Sequence, residues 1–165
     1  MENKSSGSVQ RVKEFLEKER LGFIVKILAP ESTRTSTLAA EAIGCSVAEI
    51  AKSIAFVKTH KFEPIIVILS GDKFVNIEKL AVSLGLESAD LLRKMTADEV
   101  KLLTGYPIGG LPPFPHDERC LILVDKSICR FTRVWAAAGS PNSVMQIPSD
   151  FLIKDLGYRV VEVSE

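Results

Sequence analysis

Residues Ile65, Ile66, Val67, Ile68 and Leu69 form an unbroken apolar run closed by Ser70-Gly71-Asp72. Such a run is too short to cross a bilayer, which takes about 20 residues. Its β-branched composition disfavours helix. Both faces are apolar, so the segment reads as a central strand covered on each side. A second apolar segment, Ser53 to Thr59, precedes it, and the four residues His60 to Glu63 between them fit a hairpin. A chain organised around such a hairpin needs layers above and below the sheet.

Helical segments supply those layers. Ser8 can cap a first helix that Gly22 ends, with Val9, Val12, Phe15 and Leu16 at helical spacing. Thr35, Ser36 or Thr37 can cap a second, with Leu38, Ala39, Ala42 and Ile43 inside it and Gly44 beyond. Ser46 and Glu49 have capping-box spacing for one further turn. Asn76 can cap a helix from Ile77 to Leu84 closed by Gly85, and Thr96 with Glu99 forms another capping box before Gly105. Ser149 can cap a last helix through Leu156. Further strands are expected at Phe23–Leu28, Leu91–Lys94, Cys120–Asp125, Arg133–Ala138, Val144–Ile147 and Tyr158–Val163. Helices interleaved with strands and hairpins exclude an all-parallel doubly wound sheet. They predict a mixed α/β sheet or small barrel flanked by helices.

The length of 165 residues suits one such domain, and 46% hydrophobic with 25% charged residues is ordinary globular composition. Residues 1–7 are polar and small and read as a flexible N-terminus, leaving 8–165 as the folded unit. No apolar signal core opens the chain, so a soluble cytoplasmic protein without membrane contact is expected. Lys and Arg number 21, as do Asp and Glu, which argues against a general DNA-binding body; any nucleic acid would be gripped locally. Cys45, Cys120 and Cys129 form no CxxC pair, and His60 and His116 are the only histidines, so neither a metal site nor a cofactor is expected. The chain has no GxSxG, HExxH, Walker or GxGxxG signature.

Three segments can carry chemistry. Lys52 stands where the first hairpin strand begins, on the face shared by Ile54 and Phe56. An ammonium there either snorkels to water or is aimed into a cleft where it meets a phosphate or a carbonyl oxygen. Gly105-Tyr106-Pro107-Ile108-Gly109-Gly110-Leu111-Pro112-Pro113-Phe114-Pro115 excludes regular structure. It is either a rigid surface turn or a stiff loop offering backbone N–H donors to a ligand. In Ala138-Gly139-Ser140-Pro141-Asn142-Ser143, the Ser140 hydroxyl and Asn142 amide either bind a polar ligand or close an ordinary Asx-type turn.

Together the segments 50–57, 105–113 and 135–142 resemble the YbaK/EbsC family, the prolyl-tRNA synthetase editing-domain family, from about Val9 onward. The resemblance implies a single-domain mixed α/β fold, a compact and mostly antiparallel barrel-like sheet flanked by helices, and hydrolysis, in trans, of the ester between a wrong amino acid and the tRNA 3′ end. It implies no cofactor. The partners it implies are a mischarged tRNA acceptor end and an aminoacyl-tRNA synthetase. Lys52 matches the family's functional lysine and Gly109-Gly110 its glycine loop. On that basis Lys52 and Gly110 are the expected catalytic residues. Ile108, Gly109, Pro112, Ser140, Asn142 and, by family analogy, Thr35 are the expected substrate contacts. The alternative is a non-catalytic member that docks on a synthetase or tRNA. Some branches carry an acidic residue near the position of Val144, and others His-Pro where this chain has Ser140-Pro141. The resemblance therefore does not extend to the amino acid edited.

Overall fold

A computed structural model describes residues 7–165. Residues 1–6 of the expected flexible N-terminus lie outside the described residues, and Gly7 already belongs to the first helix. In chain order the regular elements are α1 (Gly7–Lys18), β1 (Val25–Ile27), α2 (Ser36–Ile43), β2 (Ile50–Lys58), β3 (Lys61–Ser70), α3 (Ile77–Ser83), β4 (Leu92–Lys94), α4 (Ala97–Thr104), β5 (Leu121–Asp125), β6 (Arg133–Ala137), β7 (Ser143–Pro148) and β8 (Arg159–Val161).

The strands form one mixed sheet in the order β1-β7-β6-β2-β3-β5-β8, with β4 added to β2. The ladders β1–β7, β6–β7, β2–β3 and β2–β4 are antiparallel, whereas β2–β6, β3–β5 and β5–β8 are parallel. β3 lies between β2 and β5, and Ile65 to Leu69 are all at most 1% exposed, as a strand apolar on both faces requires. One face of the sheet buries Ala55, Val57, Ile66 and Ile68 against Val12 and Leu16 of α1 and against Tyr106 and Phe114 of the Gly-Pro segment. The other buries Phe56, Ile65, Val67 and Leu69 against Leu80 and Ala81 of α3. Each fully buried aliphatic side chain contributes roughly 1.5–3 kcal/mol, so these two layers dominate the stability.

Several element ends differ from the sequence expectation. The hairpin turn is two residues, Thr59-His60, and both strands are longer than expected, which places Lys52 inside β2. Helix α1 ends before Gly22. Arg20 takes the left-handed conformation (φ 53°), while its N–H donates to the Glu17 carbonyl and that of Leu21 to the Leu16 carbonyl. This is a Schellman termination without glycine. Ser149 does not cap a helix. Its hydroxyl donates to the Phe131 carbonyl, and the segment that follows is a single π-type turn over Phe151–Asp155. The capping boxes at Ser46/Glu49 and Thr96/Glu99 and the caps at Thr35 and Asn76 form as their spacing predicts.

Candidate active site

The ladder between β2 and β6 holds at only two pairs, Ile50 with Trp135 and Ala51 with Ala136. β6 ends at Ala137, one residue past the last pair, and a cleft of about 70 Å³ lies at this end of the ladder. Its walls come from Ile50–Ser53 of β2 and Trp135–Ala137 of β6. Thr33, Thr35, Ser36 and Ala39 line it at the start of α2, as do Gly109 and Leu111 of the Gly-Pro segment and Val144 of β7. Because the cleft opens at the end of a ladder, the neighbours Lys52 and Ser53, which point to opposite sheet faces, both line it.

Lys52 is half-buried and its ammonium has neither an ion pair nor a hydrogen bond among the described residues; its close contact is the Phe74 ring, with Nζ 4.5 Å from the centroid. Desolvation lowers its pKa below the usual lysine value, the Lys94 charge pushes the same way, and Asp72 partly opposes both. Asp72 is itself held by the Arg130 guanidinium at 2.7 Å. Ser53 adds a buried hydroxyl oxygen with no hydrogen-bond partner. A polar atom left unsatisfied in a cleft wall marks a place where a ligand atom repays its desolvation.

The Gly-Pro segment meets the cleft through a turn at Pro107–Gly110, in which Gly110 N–H donates to the Pro107 carbonyl at 3.0 Å and Gly109 adopts φ 82°. The Gly109 N–H has no partner among the described residues, and the nearest atoms to a side chain built there lie 3.9 Å away. Gly110 differs from its expected role. Its N–H is already bonded, its carbonyl accepts from Gly139 N–H at 2.9 Å, and a Cβ there would fall 2.6 Å from Ser140 Cα. The close approach that glycine permits at 110 is filled by the chain's own late turn, and the open donor is that of Gly109.

The loop is held from behind. The Tyr106 hydroxyl donates to the Pro115 carbonyl and the Tyr158 hydroxyl to the Pro113 carbonyl, each at 3.0 Å, and His116 Nε2 lies 2.7 Å from the Pro112 carbonyl. A carbonyl only accepts, so Nε2 carries the His116 proton. Burial pulls the His116 pKa down to about 4, and its Nδ1 is buried without a partner. In front, the Thr33 hydroxyl donates to the Gly109 carbonyl at 3.0 Å, and Thr33 N–H donates to the Pro141 carbonyl at 2.8 Å.

Of the expected site residues, Lys52, Gly109 and Thr35 line the cleft, and Thr35 also caps α2 by accepting the Leu38 N–H. Ile108 is part of the turn but 57% exposed and outside the lining. Pro112 is buried and reaches the site only through the loop it stiffens. The Ser140 hydroxyl bonds Asn142 Oδ1 and the Ser143 hydroxyl, each at 2.8 Å, and Asn142 Nδ2 donates to the Leu28 carbonyl at 3.2 Å. These two residues close the turn and face each other, not the cleft. Ser53 escapes the sequence reading, since strand parity sends it to the face opposite Lys52. Both line the opening because the β2–β6 pairing stops at Ala51.

Fold and cleft together define a single α/β domain in which a half-buried lysine shares a small opening with a glycine turn. The chain matches the profile of the aminoacyl-tRNA editing domain over residues 30–154 and belongs to that family. It is 34% identical over 118 residues to the uncharacterized protein YwhH of Bacillus subtilis (strain 168), covering 70% of this chain and 71% of that one. Among solved structures, it superposes with a TM-score of 0.84 on a protein put forward as a trans-editing enzyme for prolyl-tRNA synthetase; identity is 33%, and coverage is 98% of this chain and 99% of that one. Hypothetical protein APE2540 gives the same TM-score at 29% identity, with 94% of this chain and 99% of that one covered.

Proposed function

We propose that the chain is a deacylase that acts in trans on mischarged tRNA, hydrolysing the ester at the 3′ end. The observation that carries this reading is the unpaired, half-buried ammonium of Lys52 lining one cleft with the unpaired N–H of Gly109. A second lysine, Lys94, raises the local positive potential, so the ligand best suited to Lys52 is a full anion such as the terminal phosphate. The ester then lies toward Gly109, whose N–H donates to the carbonyl oxygen as it gains negative charge. The Ser53 hydroxyl, otherwise without a partner, bonds a polar atom of the aminoacyl group. An activated ester needs no protein nucleophile: water, assisted by a hydroxyl of the substrate, attacks a carbonyl held in place, and its oxygen stays on the acyl carbon. The bond that breaks joins the acyl carbon to the ribose oxygen, which leaves protonated.

The cleft is far smaller than the roughly 300–1,000 Å³ of pockets that enclose drug-sized ligands, and Ala39, Ala51, Ala136 and Leu111 give it apolar walls. A small aminoacyl side chain is therefore the one it accepts. A synthetase that supplies further tRNA contacts is consistent with the balanced charge of the chain.

A panel of mischarged tRNAs tests the reading, assayed with the wild-type chain and with Lys52→Met. At least one species with a small side chain should lose its ester faster than in buffer, and Lys52→Met should sharply reduce the acceleration. If no species is deacylated above the buffer rate, the enzymatic reading falls and the docking alternative takes its place.

A further inference from the structure

Phe74 is 69% exposed, an unusual setting for a phenylalanine, yet its backbone is pinned. Its N–H donates to the Glu165 carbonyl at 3.0 Å, its carbonyl accepts the Glu165 N–H at 2.9 Å, and Val75 bridges Ser164 beside it. The ring is thus displayed from a fixed backbone, next to the cation that lines the cleft. Charges of both signs surround it, and the Glu165 carboxylate, which accepts from Asn76 Nδ2 at 3.1 Å, is among them. Lys73 adjoins it in sequence, Lys94 acts on Lys52, and the carboxylate of Asp72 is engaged by Arg130.

We infer that Phe74 is a stacking platform for the base of the nucleotide whose phosphate Lys52 receives. This rests on the deacylase reading and adds to it a subsite outside the cleft. Lysines alone suffice for an acidic peptide or a free phosphate. An exposed aromatic face beside a cation suits a ligand with both a flat ring and an anion, which is the composition of a nucleotide at a single-stranded end. Lys52 approaches one part of the ring, and its large remaining exposure leaves room for a base.

The test compares adenosine 5′-monophosphate with ribose 5-phosphate, titrated into the wild-type chain and followed by NMR shifts. Stacking on an aromatic side chain adds about fivefold or more in affinity. The wild type should bind the nucleotide at least about fivefold more tightly. Phe74→Ala should erase the difference while leaving ribose 5-phosphate binding unchanged, and Phe74→Trp should restore it. Equal affinities in the wild type, no binding of either probe, or a preference that survives Phe74→Ala would overturn the inference. On mischarged tRNA, Phe74→Ala should raise KM and leave kcat; a fall in kcat at unchanged KM would mean that the ring acts through Lys52, and also overturns it. The nucleotide titration needs no turnover, so failure of the deacylase reading and failure of this subsite are separately visible.

Discussion

Gly110 accepts the N–H of Gly139 on its carbonyl at 2.9 Å, so the two glycine-bearing turns meet backbone to backbone. That contact seats the Gly-Pro loop on the end of the β6–β7 hairpin and sets where Gly109 meets the cleft.

Gly110 and Gly109 should therefore respond differently to alanine. At 110 the new methyl group would fall 2.6 Å from Ser140 Cα, and backbone cannot move aside cheaply. Gly110→Ala should cost about 1–3 kcal/mol through overpacking. At 109 there is space but φ is 82°, so Gly109→Ala should cost about 1–2 kcal/mol through strain alone. Chemical denaturation gives both numbers. Crystal structures should show the late turn displaced only in the Gly110 variant.

Lys52→Met should trade activity for stability. Methionine keeps an unbranched stem beside Phe74 and removes the charge. Losing a charged hydrogen-bond donor should lower kcat/KM by roughly 10- to 100-fold. Folding lowers the Lys52 pKa, chiefly by desolvation, so the native chain releases this proton at a lower pH than the unfolded chain. The penalty is complete below the native pKa and is relieved as pH rises through it toward 10.5. Near pH 7 the variant should therefore be more stable than wild type, and the gap should narrow in the alkaline range. Urea titrations at pH 7 and pH 10 measure it.

His116 should make the fold acid-sensitive well above the carboxylate range. Burial holds its pKa at about 4, against 6.5 for the free side chain. Above pH 6.5 both states are neutral and the group contributes no pH dependence. Between about pH 6.5 and pH 4 the unfolded chain binds a proton that the native chain refuses, so stability falls with acidification, by on the order of 3 kcal/mol in full. His116→Gln does not titrate and should lose this part of the slope. Denaturation midpoints at pH 7 and pH 4.5 for both chains decide it.

Arg20 holds a left-handed conformation that costs a residue with a Cβ about 1–2 kcal/mol. Arg20→Gly should stabilise the chain by about 0.5–1 kcal/mol, the remainder being lost to the greater freedom of glycine in the unfolded state. Thermal unfolding should show the increase, with deacylation unchanged because Arg20 lies outside the cleft lining.

The local signals in the sequence were sound where one chemical cause sufficed. The caps at Thr35, Asn76 and Thr96 and the run Ile65–Leu69 each specify their element through their own hydrogen bonds or burial. Arg20 and Ser149 went otherwise because a neighbour offered more. The turn after α1 closed two residues before the available glycine, and Ser149 found the Phe131 carbonyl within reach.

By itself, the order of residues determined an α/β chain built on a buried hairpin. It also marked Lys52 and the Gly109-Gly110 turn as segments that can carry chemistry. Tertiary structure alone decided that the β2–β6 pairing stops at Ala51, that Lys52 and Ser53 line one cleft there, and that Gly109 rather than Gly110 keeps a free N–H. The reason is that the extent of strand pairing and the close contact of two turns depend on partners distant in the chain. Capping and alternation report only on near neighbours.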